Sequence, residues 1–367
     1  MDAALSRSCL MPATSAFEPI ISLTEAAYDL ASPEEAWLPR LLEVGGPLLD
    51  QGLGVAGLIA TKSPRHTPGE IHEVHTAGTP RDFVDRHIEV AAMLPQEQIH
   101  RQTRTGLFSI SELTKGKPGQ IELWRSYVGY AKDALGVIAL DIDGRGIQLI
   151  APLPEVKRVG RAERSMFEML AAHLSAGLRI RKALADVDFA KVSDGESVDL
   201  PMGADAVLEP STLNVSHAGD DARDASSLSA LRAAAQRFER ARGKLRKVNP
   251  EKALEIWRAL VRGRWSMVDW FDTDNRRYIL ALPNPPRISD PRGLTQRESQ
   301  VVAYAALGHT HKIIGYRLGV SRATATNALR SAMRKLGVKT QAQLVERFQA
   351  LARATSQVAD EHSADGD

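Results

Sequence analysis

Residues 294–338 read "LTQRESQVVAYAALGHTHKIIGYRLGVSRATATNALRSAMRKLGV", and this stretch contains a series of helix start and stop signals. Thr295 stands three residues before Glu298, which is the spacing of a capping box at the start of a helix. Gly308 is the natural end of that helix, because glycine readily adopts the left-handed conformation that terminates helices. A first helix is therefore predicted between Thr295 and Gly308.

The same start and stop signals predict the helices that follow. A short second helix over 312–318 ends at Gly319, and Ser321 caps a third helix that ends at Gly337. A fourth helix is predicted over 340–351. Two short helices joined by a Gly-Val-Ser turn form a helix-turn-helix motif.

This stretch resembles the LuxR/GerE-type DNA-binding domain of bacterial transcription factors. The resemblance rests on these positions: Leu294, Thr295, Arg297, Glu298, Ala306, Gly308, Lys312, Ile314, Leu318, Val320, Ser321, Thr324, Lys335, Leu336 and Val338. The chain departs from the family at 311–315, where His-Lys-Ile-Ile-Gly replaces the usual Asn-Lys-Glu-Ile-Ala. Thr326 stands where the family usually has lysine, so a DNA sequence preference is not transferred from the family.

The resemblance implies which side chains meet DNA, since the family contacts base edges from the first turns of the third helix. By position, the candidates for base contacts are Thr326, Asn327 and Arg330. An asparagine pairs well with adenine and an arginine with guanine, each contributing about 1–3 kcal/mol of discrimination. The candidates for phosphate contacts and positioning are Thr310, His311, Lys312, Arg322, Thr324, Arg334 and Lys335. For Thr324, a local cap or core hydroxyl is an equally good interpretation.

The distribution of charge supports DNA binding independently of the family. Between residues 291 and 350 the chain has ten Arg or Lys residues and two Glu residues, a formal charge of about +8, against +2 for the whole chain. Local positive charge of this kind is the electrostatic signature of a phosphate-binding surface.

Several other classes of site are disfavoured. His309 and His311 lie one residue apart, but no carboxylate or cysteine stands near them in the sequence to complete a metal site. Cys9 is the only cysteine, which excludes a disulfide framework and suits a reducing cytoplasm. The sequence has none of the common nucleotide-binding, hydrolase or metalloprotease motifs. We therefore expect a protein that is not an enzyme and has no catalytic residues, no metal and no cofactor.

The rest of the chain predicts an α+β multidomain protein with antiparallel sheets. Apolar runs around an Asp-Gly turn predict a hairpin over 134–153, and a second hairpin is predicted over 264–284. Helices are predicted over 161–184, 227–247 and 250–263. The predicted division is a flexible tail (1–23), a GAF-like sensor domain (24–185), a linker (186–200), a PAS-like module (201–285), a linker (286–292), the LuxR-type helix-turn-helix domain (293–352) and an acidic disordered tail (353–367).

Two common input domains do not fit the N-terminal half. The acidic residues and lysine of a receiver domain are absent in the required order, and the aromatic and aspartate cluster of an acyl-homoserine-lactone domain is not evident. The apolar stripe Phe167, Leu170, Leu174, Leu178 and Ile180 serves either a dimer or packing on its own sheet. Asp141 is expected at a turn for its local chemistry alone. His173 is interpreted as a packed residue rather than a ligand.

These observations predict a cytoplasmic transcription regulator whose N-terminal region controls the helix-turn-helix by affecting dimerisation or by masking its basic face. The expected partners are double-stranded DNA, a second copy of the chain, RNA polymerase and an unidentified small-molecule ligand. No apolar run approaches the ~18 residues of a membrane span. Two alternatives stay open: a sigma-factor-like promoter reader, and a protein-interaction module whose helix-turn-helix has lost DNA binding.

Overall fold

The computed structural model describes residues 18–61, 69–94, 106–142, 144–185, 200–284 and 294–346. They form an N-terminal α+β domain (18–185), a middle α+β domain (200–284) and a C-terminal helical domain (294–346). The predicted linker 286–292, the acidic tail 353–367 and all but Leu200 of the predicted linker 186–200 lie outside the described residues.

The N-terminal domain is built on one five-stranded antiparallel sheet with the order β2-β1-β5-β4-β3. Its helices are α1 (Glu18–Ala27), α2 (Glu34–Leu49), α3 (Phe83–Met93), α4 (Ile110–Leu113), α5 (Pro118–Val128) and α6 (Arg161–Ala185). Its strands are β1 (Val55–Thr61), β2 (Glu70–Ala77), β3 (Leu107–Ser109), β4 (Asp133–Leu140) and β5 (Arg145–Leu153). The predicted hairpin over 134–153 is confirmed, since Asp133 pairs with Leu153 and Leu140 pairs with Gly146.

The predicted boundary of the N-terminal tail at residue 23 is wrong. Helix α1 begins at Glu18, and its Ile20, Ile21 and Leu23 side chains are fully buried against the rest of the domain. Burial of three large apolar side chains holds this segment in the fold, at roughly 1.5–3 kcal/mol each. The part of the predicted tail before residue 18 lies outside the described residues.

Helix α6 is a central helix of the protein rather than a free surface. Its whole middle section is buried, including the predicted stripe from Phe167 to Ile180. One side packs on the sheet of its own domain, and another contacts the C-terminal domain. The alternative that this stripe packs within its own chain is therefore the correct one, and the stripe is not open to a second copy.

The middle domain has a four-stranded antiparallel sheet with the order β7-β6-β9-β8. Its strands are β6 (Ala206–Leu208), β7 (Val215–Ala218), β8 (Trp265–Phe271) and β9 (Arg277–Pro283), and its helices are α7 (Ala225–Arg242), α8 (Lys244–Val248) and α9 (Pro250–Ile256). The hairpin over 264–284 is confirmed. The helix predicted to run to residue 263 ends at Ile256, because Trp257 turns to extended backbone and Val261 bridges to Trp265.

The C-terminal domain has the predicted helix-turn-helix geometry. Its helices are α10 (Gln296–Ala306), α11 (His311–Arg317) and α12 (Arg322–Lys335), and a fourth helical segment occupies 341–346. The capping box of Thr295 and Glu298 is present. Gly319 ends α11 and Gly337 follows α12, with φ angles of 65° and 64°. Apolar side chains of the three helices form a single core under α12.

Candidate nucleic-acid interface

Helix α12 presents an exposed polar face next to the end of α11. Asn327 and Arg330, two of the candidates for base contacts, are exposed on this face, as are Arg322 and Arg334. The buried side of the same helix carries Ala325, Leu329 and Ala332. The face therefore offers amide and guanidinium donors to a duplex, while the opposite side of α12 is fixed in the core.

Thr326 is half-buried and belongs to a small hydrogen-bonded group at the start of this face. Its Oγ1 donates to the Arg322 carbonyl oxygen at 2.9 Å and lies 3.1 Å from Nδ1 of His311. His311 is the first residue of α11, so its contact with Thr326 connects the start of α11 to the first turns of α12. A threonine tied to its own helix reaches less far toward a base edge than the lysine that the family usually has at this position.

Thr310 and Thr324 both have local structural partners. The hydroxyl of Thr310 accepts a hydrogen bond from the Ile313 N–H and caps α11. The Thr324 hydroxyl lies 2.8 Å from the hydroxyl of Ser321, which caps α12. The local-cap interpretation of Thr324 thus has a direct contact, and the hydroxyls also lie at two helix N-termini, where backbone N–H groups favour anions.

Two candidate lysines are engaged with other parts of the protein. Lys312 donates to the Ser165 hydroxyl of α6 at 3.2 Å. Lys335 forms an ion pair with Glu298 at 2.7 Å. Burial alone would raise the pKa of Glu298, but hydrogen bonds from Lys335 and from the Thr295 N–H lower the pKa to about 2. Lys335 therefore links α12 to the start of α10. Because of this ion pair, its ammonium group is less available for a phosphate contact than the guanidinium group of Arg334.

The helix that supports α12 is buried against the other two domains. Tyr316 of α11 donates from its hydroxyl to the Leu254 carbonyl oxygen at 2.7 Å, and the same hydroxyl lies 2.6 Å from Nε2 of His173. The Nδ1 atom of His173 lies 2.9 Å from the Tyr28 hydroxyl. A neutral His173 with its proton on Nε2 satisfies all three contacts. One hydrogen-bonded chain thus runs from Tyr28, the residue after α1, through α6 and α11 to α9.

A buried charged group makes the second connection between the N-terminal and C-terminal domains. Asp141, at the β4–β5 turn, forms an ion pair with Arg179 of α6 at 2.7 Å. It also accepts a hydrogen bond from the Tyr304 hydroxyl of α10 at 3.3 Å. Burial would raise the pKa of Asp141, but the charge of Arg179 and the hydrogen bond from the Ile142 N–H outweigh it and lower the pKa.

Arg317, the last residue of α11, adds a second buried cation to this group. Its side chain donates to the Ser175 hydroxyl at 2.7 Å and stacks over the Tyr304 ring, 5.1 Å from its centroid. Asp141 is ion-paired with Arg179, and the charge of Arg317 also acts on this carboxylate, so one negative charge stands against two positive charges and the contact surface carries a net positive charge out of water. Such charge is costly to bury unless it is fully hydrogen-bonded.

His309 lies on this buried side of the C-terminal domain, whereas His311 lies beside α12. Burial lowers the pKa of His309 well below its ordinary value, and the charge of Arg317 lowers it further. Its ring packs 5.9 Å from that of Tyr304. The two histidines, separated by one residue in the sequence, therefore lie on different surfaces of the domain. Within the described parts of the chain, no group of three histidine, cysteine, aspartate or glutamate residues is arranged to hold a metal ion.

The middle domain contacts the turn of the helix-turn-helix directly. Gly319 lies so close to the Leu260 carbonyl oxygen that a Cβ at this position would collide with it. Gln300 of α10 donates to the Gly263 carbonyl oxygen at 2.8 Å. Both contacts involve the 257–263 segment, so its non-helical backbone helps to set the position of the helix-turn-helix.

The residues predicted to contact DNA lie on α11 and α12 or cap α11, but sequence reasoning missed the residues that dock the domain. Asp141 was interpreted as a turn residue and His173 as a packed residue, and Tyr304 and Tyr316 were not singled out. The one available signal was the presence of a tyrosine in each of the helices α10 and α11. A buried tyrosine needs a partner for its hydroxyl.

Comparisons with known proteins agree with this description of the C-terminal domain. Residues 292–348 match the family described as "Bacterial regulatory proteins, luxR family". The chain therefore carries a LuxR-type helix-turn-helix domain. No significant match was found to a curated protein sequence.

Similar solved structures include the VqsR LBD domain from Pseudomonas aeruginosa, with 21% identity, 45% of this chain and 95% of that chain covered, and a TM-score of 0.31. A structure of Escherichia coli SdiA has 10% identity, covers 82% of this chain and 83% of that chain, and has a TM-score of 0.26. A structure of SdiA in complex with octanoyl-rac-glycerol has 11% identity, covers 93% and 90%, and has a TM-score of 0.21. Among the described helices, none combines the length and apolar character needed to cross a bilayer.

Proposed function

We propose that this protein is a cytoplasmic DNA-binding transcription regulator that recognises duplex DNA through α12. Base contacts come from Asn327 and Arg330, with Thr326 in a secondary position, and Arg322 and Arg334 hold phosphates. The supporting observation is that this basic face is exposed while the supporting helix α11 is buried against the other domains.

We propose that the N-terminal domain is a sensor-like domain that acts through the position of α11. The arginines of α12 are exposed while the domain is docked, which favours control of position or dimerisation over masking of the basic face. An antiparallel sheet between helices is what a GAF-like sensor requires, and it supports this assignment without naming a ligand. The DNA-bound form is proposed to be a dimer on a two-fold site, since one small helix-turn-helix covers too little surface for tight specific binding.

The test is selection of binding sites from a pool of random duplexes with the full-length protein, followed by a salt titration. We expect a short two-fold-related site and an affinity that falls steeply as salt rises, because phosphate contacts release counterions. Enrichment of single promoter elements only in the presence of RNA polymerase would instead favour the sigma-like alternative.

Charge reversal at Arg330 and Arg334 gives the matching variant. The double substitution Arg330→Glu and Arg334→Glu is expected to weaken binding by at least about a hundredfold, since a base contact and a phosphate contact are both lost. The control is Arg232→Glu with Arg240→Glu, which changes the net charge equally at two exposed positions of α7. Equal loss in both double variants, or in neither, would favour an interaction module that no longer recognises DNA.

A further inference from the structure

A cleft of about 240 Å³ lies where the middle domain meets the turn of the helix-turn-helix. One wall is the α7 helix, another is the 257–263 segment, and Gly319 closes one end. Its volume is slightly below the ~300–1,000 Å³ typical of ligand pockets, so it suits a small molecule.

The floor of the cleft is apolar and its rim is cationic. The floor is formed by Phe238, Leu260, Val261 and Met267, all of them buried. The rim carries the side chains of Arg237, Arg258 and Arg262. The lining contains no aspartate or glutamate among the residues that the structure describes.

Two of the rim arginines, Arg258 and Arg262, contact neutral groups. Arg258 stacks over the Tyr316 ring, 5.0 Å from its centroid, and Arg262 donates to the Ser226 hydroxyl at 2.7 Å. Partial burial lowers the pKa of Arg237, and the nearby charge of Arg258 lowers it further. The rim therefore holds like charges together, an arrangement that an added anion would relieve.

Three other arginines of the same domain are paired with carboxylates. Arg277 contacts Glu239 and Asp269, Arg242 contacts Asp269 and Glu25, and Arg246 contacts Glu25. Each of these structural arginines has a carboxylate partner. In the part of the chain that the structure describes, none of the three rim arginines has one.

We propose that this cleft binds a small organic anion, a carboxylate or phosphate group joined to a short apolar group. The guanidinium forks of the rim hold the anion, in the geometry that arginine offers to both kinds of oxyanion. The apolar part occupies the floor between Phe238 and Met267. A neutral molecule of the same shape makes only the apolar contacts with the floor.

The position of the cleft connects this ligand to the helix-turn-helix, a consequence that rests on the proposed function. Gly319 and the 257–263 segment form both the wall of the cleft and the contact with the DNA-binding domain. Arg258 reaches from the rim to Tyr316 of α11. An anion that draws Arg258 and Arg262 together changes the position of α11 against the middle domain and thereby the affinity for DNA.

Binding is tested first without DNA, by isothermal titration of the full-length protein with sodium hexanoate and with phenyl phosphate. 1-Hexanol and phenol serve as the neutral counterparts. We expect saturable binding of at least one anion, with the neutral molecules about tenfold weaker or more. Absence of binding by both anions, or equal binding of anion and neutral counterpart, would overturn the proposal.

Two variants locate the site. Arg237→Gln is expected to weaken anion binding about tenfold or more, because the exposed side chain adds a charge-assisted hydrogen bond and little to the fold. The matched control Arg240→Gln removes an exposed arginine from the same helix, outside the cleft, and should leave binding unchanged. Equal affinity in wild type and Arg237→Gln would place the bound anion elsewhere and refute the assignment.

The effect on DNA is measured separately, with and without the anion that binds. Because the titration contains no DNA, loss of the proposed DNA-binding function leaves the binding result intact. Conversely, a protein that binds DNA and no anion refutes only the cleft.

Discussion

The substitution Asp141→Asn tests the buried connection between the N-terminal and C-terminal domains. Asparagine keeps the size of the side chain and an oxygen that accepts from the Ile142 N–H, a bond of 2.8 Å in the wild type. It removes the carboxylate that is paired with Arg179 and whose charge also acts on Arg317. Any change in stability therefore reports the charge rather than a cavity.

The expected loss of stability is about 3–5 kcal/mol, the usual result of removing one partner from a buried ion pair. The Asp141 side chain is 2% exposed and that of Arg179 is 5% exposed, so water does not replace the lost partner. The presence of Arg317 in the same group favours the upper part of this range. In equilibrium terms the loss is about two to four powers of ten.

Urea denaturation at neutral pH, followed by tryptophan fluorescence, measures the shift in the midpoint of unfolding. Hydrogen exchange of peptides from α10 and α11 then shows whether the C-terminal domain loosens together with the β4–β5 turn. The control is Asp220→Asn, which breaks an ion pair with Arg223 of the same 2.7 Å length. The Asp220 side chain is 92% exposed, so this control is expected to leave stability unchanged.

Equal midpoints for Asp141→Asn and Asp220→Asn would refute the argument that the charge is essential. Faster exchange in the N-terminal domain alone, with α10 and α11 unchanged, would refute the connection between the two domains. The two readouts therefore separate the energetic part of the prediction from the structural part.

Three further predictions use the same surfaces. Gly319→Ala should destabilise the protein more than Gly337→Ala in thermal unfolding. Both glycines have a left-handed backbone conformation, which costs alanine about 1–2 kcal/mol, but only at Gly319 would the added Cβ collide with a carbonyl oxygen. Lowering the pH from 7 to 5 should reduce the free energy of unfolding by about 2 kcal/mol through His173. Burial lowers the pKa of His173 to about 3 in the folded chain, so in this pH range the unfolded chain, with a pKa of about 6.5, binds the proton and the folded chain does not. His173→Gln should lose this part of the pH dependence in urea titrations. Arg317→Met should be neutral or stabilising in the same assay, whereas Arg179→Met should cost about 3–5 kcal/mol, because only the latter leaves a buried carboxylate unpaired.

The C-terminal domain was predictable because its signals are local. Thr295, Ser321 and the three glycines set the ends of helices through contacts that span a few residues. The exposed face of α12 follows from the 3.6-residue period of the helix. The two hairpins were predictable for the same reason, since turn chemistry and alternating apolar residues act within one segment.

Local patterns also have clear limits in this chain. Helix α1 was missed because it is only ten residues long, and its apolar residues form a buried face only when α2 and α6 pack on them. The apparent helix beyond Ile256 has good helical residues, yet packing against β8 and the C-terminal domain holds it in another conformation. In both cases tertiary contacts outweigh propensities of less than about 1 kcal/mol per residue.

The amino-acid sequence alone thus determined the helix-turn-helix, the side of α12 that faces away from the core and the positive charge around it. Only the tertiary structure decided that α11 is buried at a junction of three domains, that Asp141 is a docking residue rather than a turn residue, and that Arg237 and Arg258 meet at one cleft. The physical reason is the distance along the chain over which each kind of contact acts. Caps, turns and helical faces depend on neighbours within one or two turns. The buried ion pair of Asp141 and Arg179 joins residues 38 positions apart, and the hydrogen bond between His173 and Tyr316 joins residues 143 positions apart.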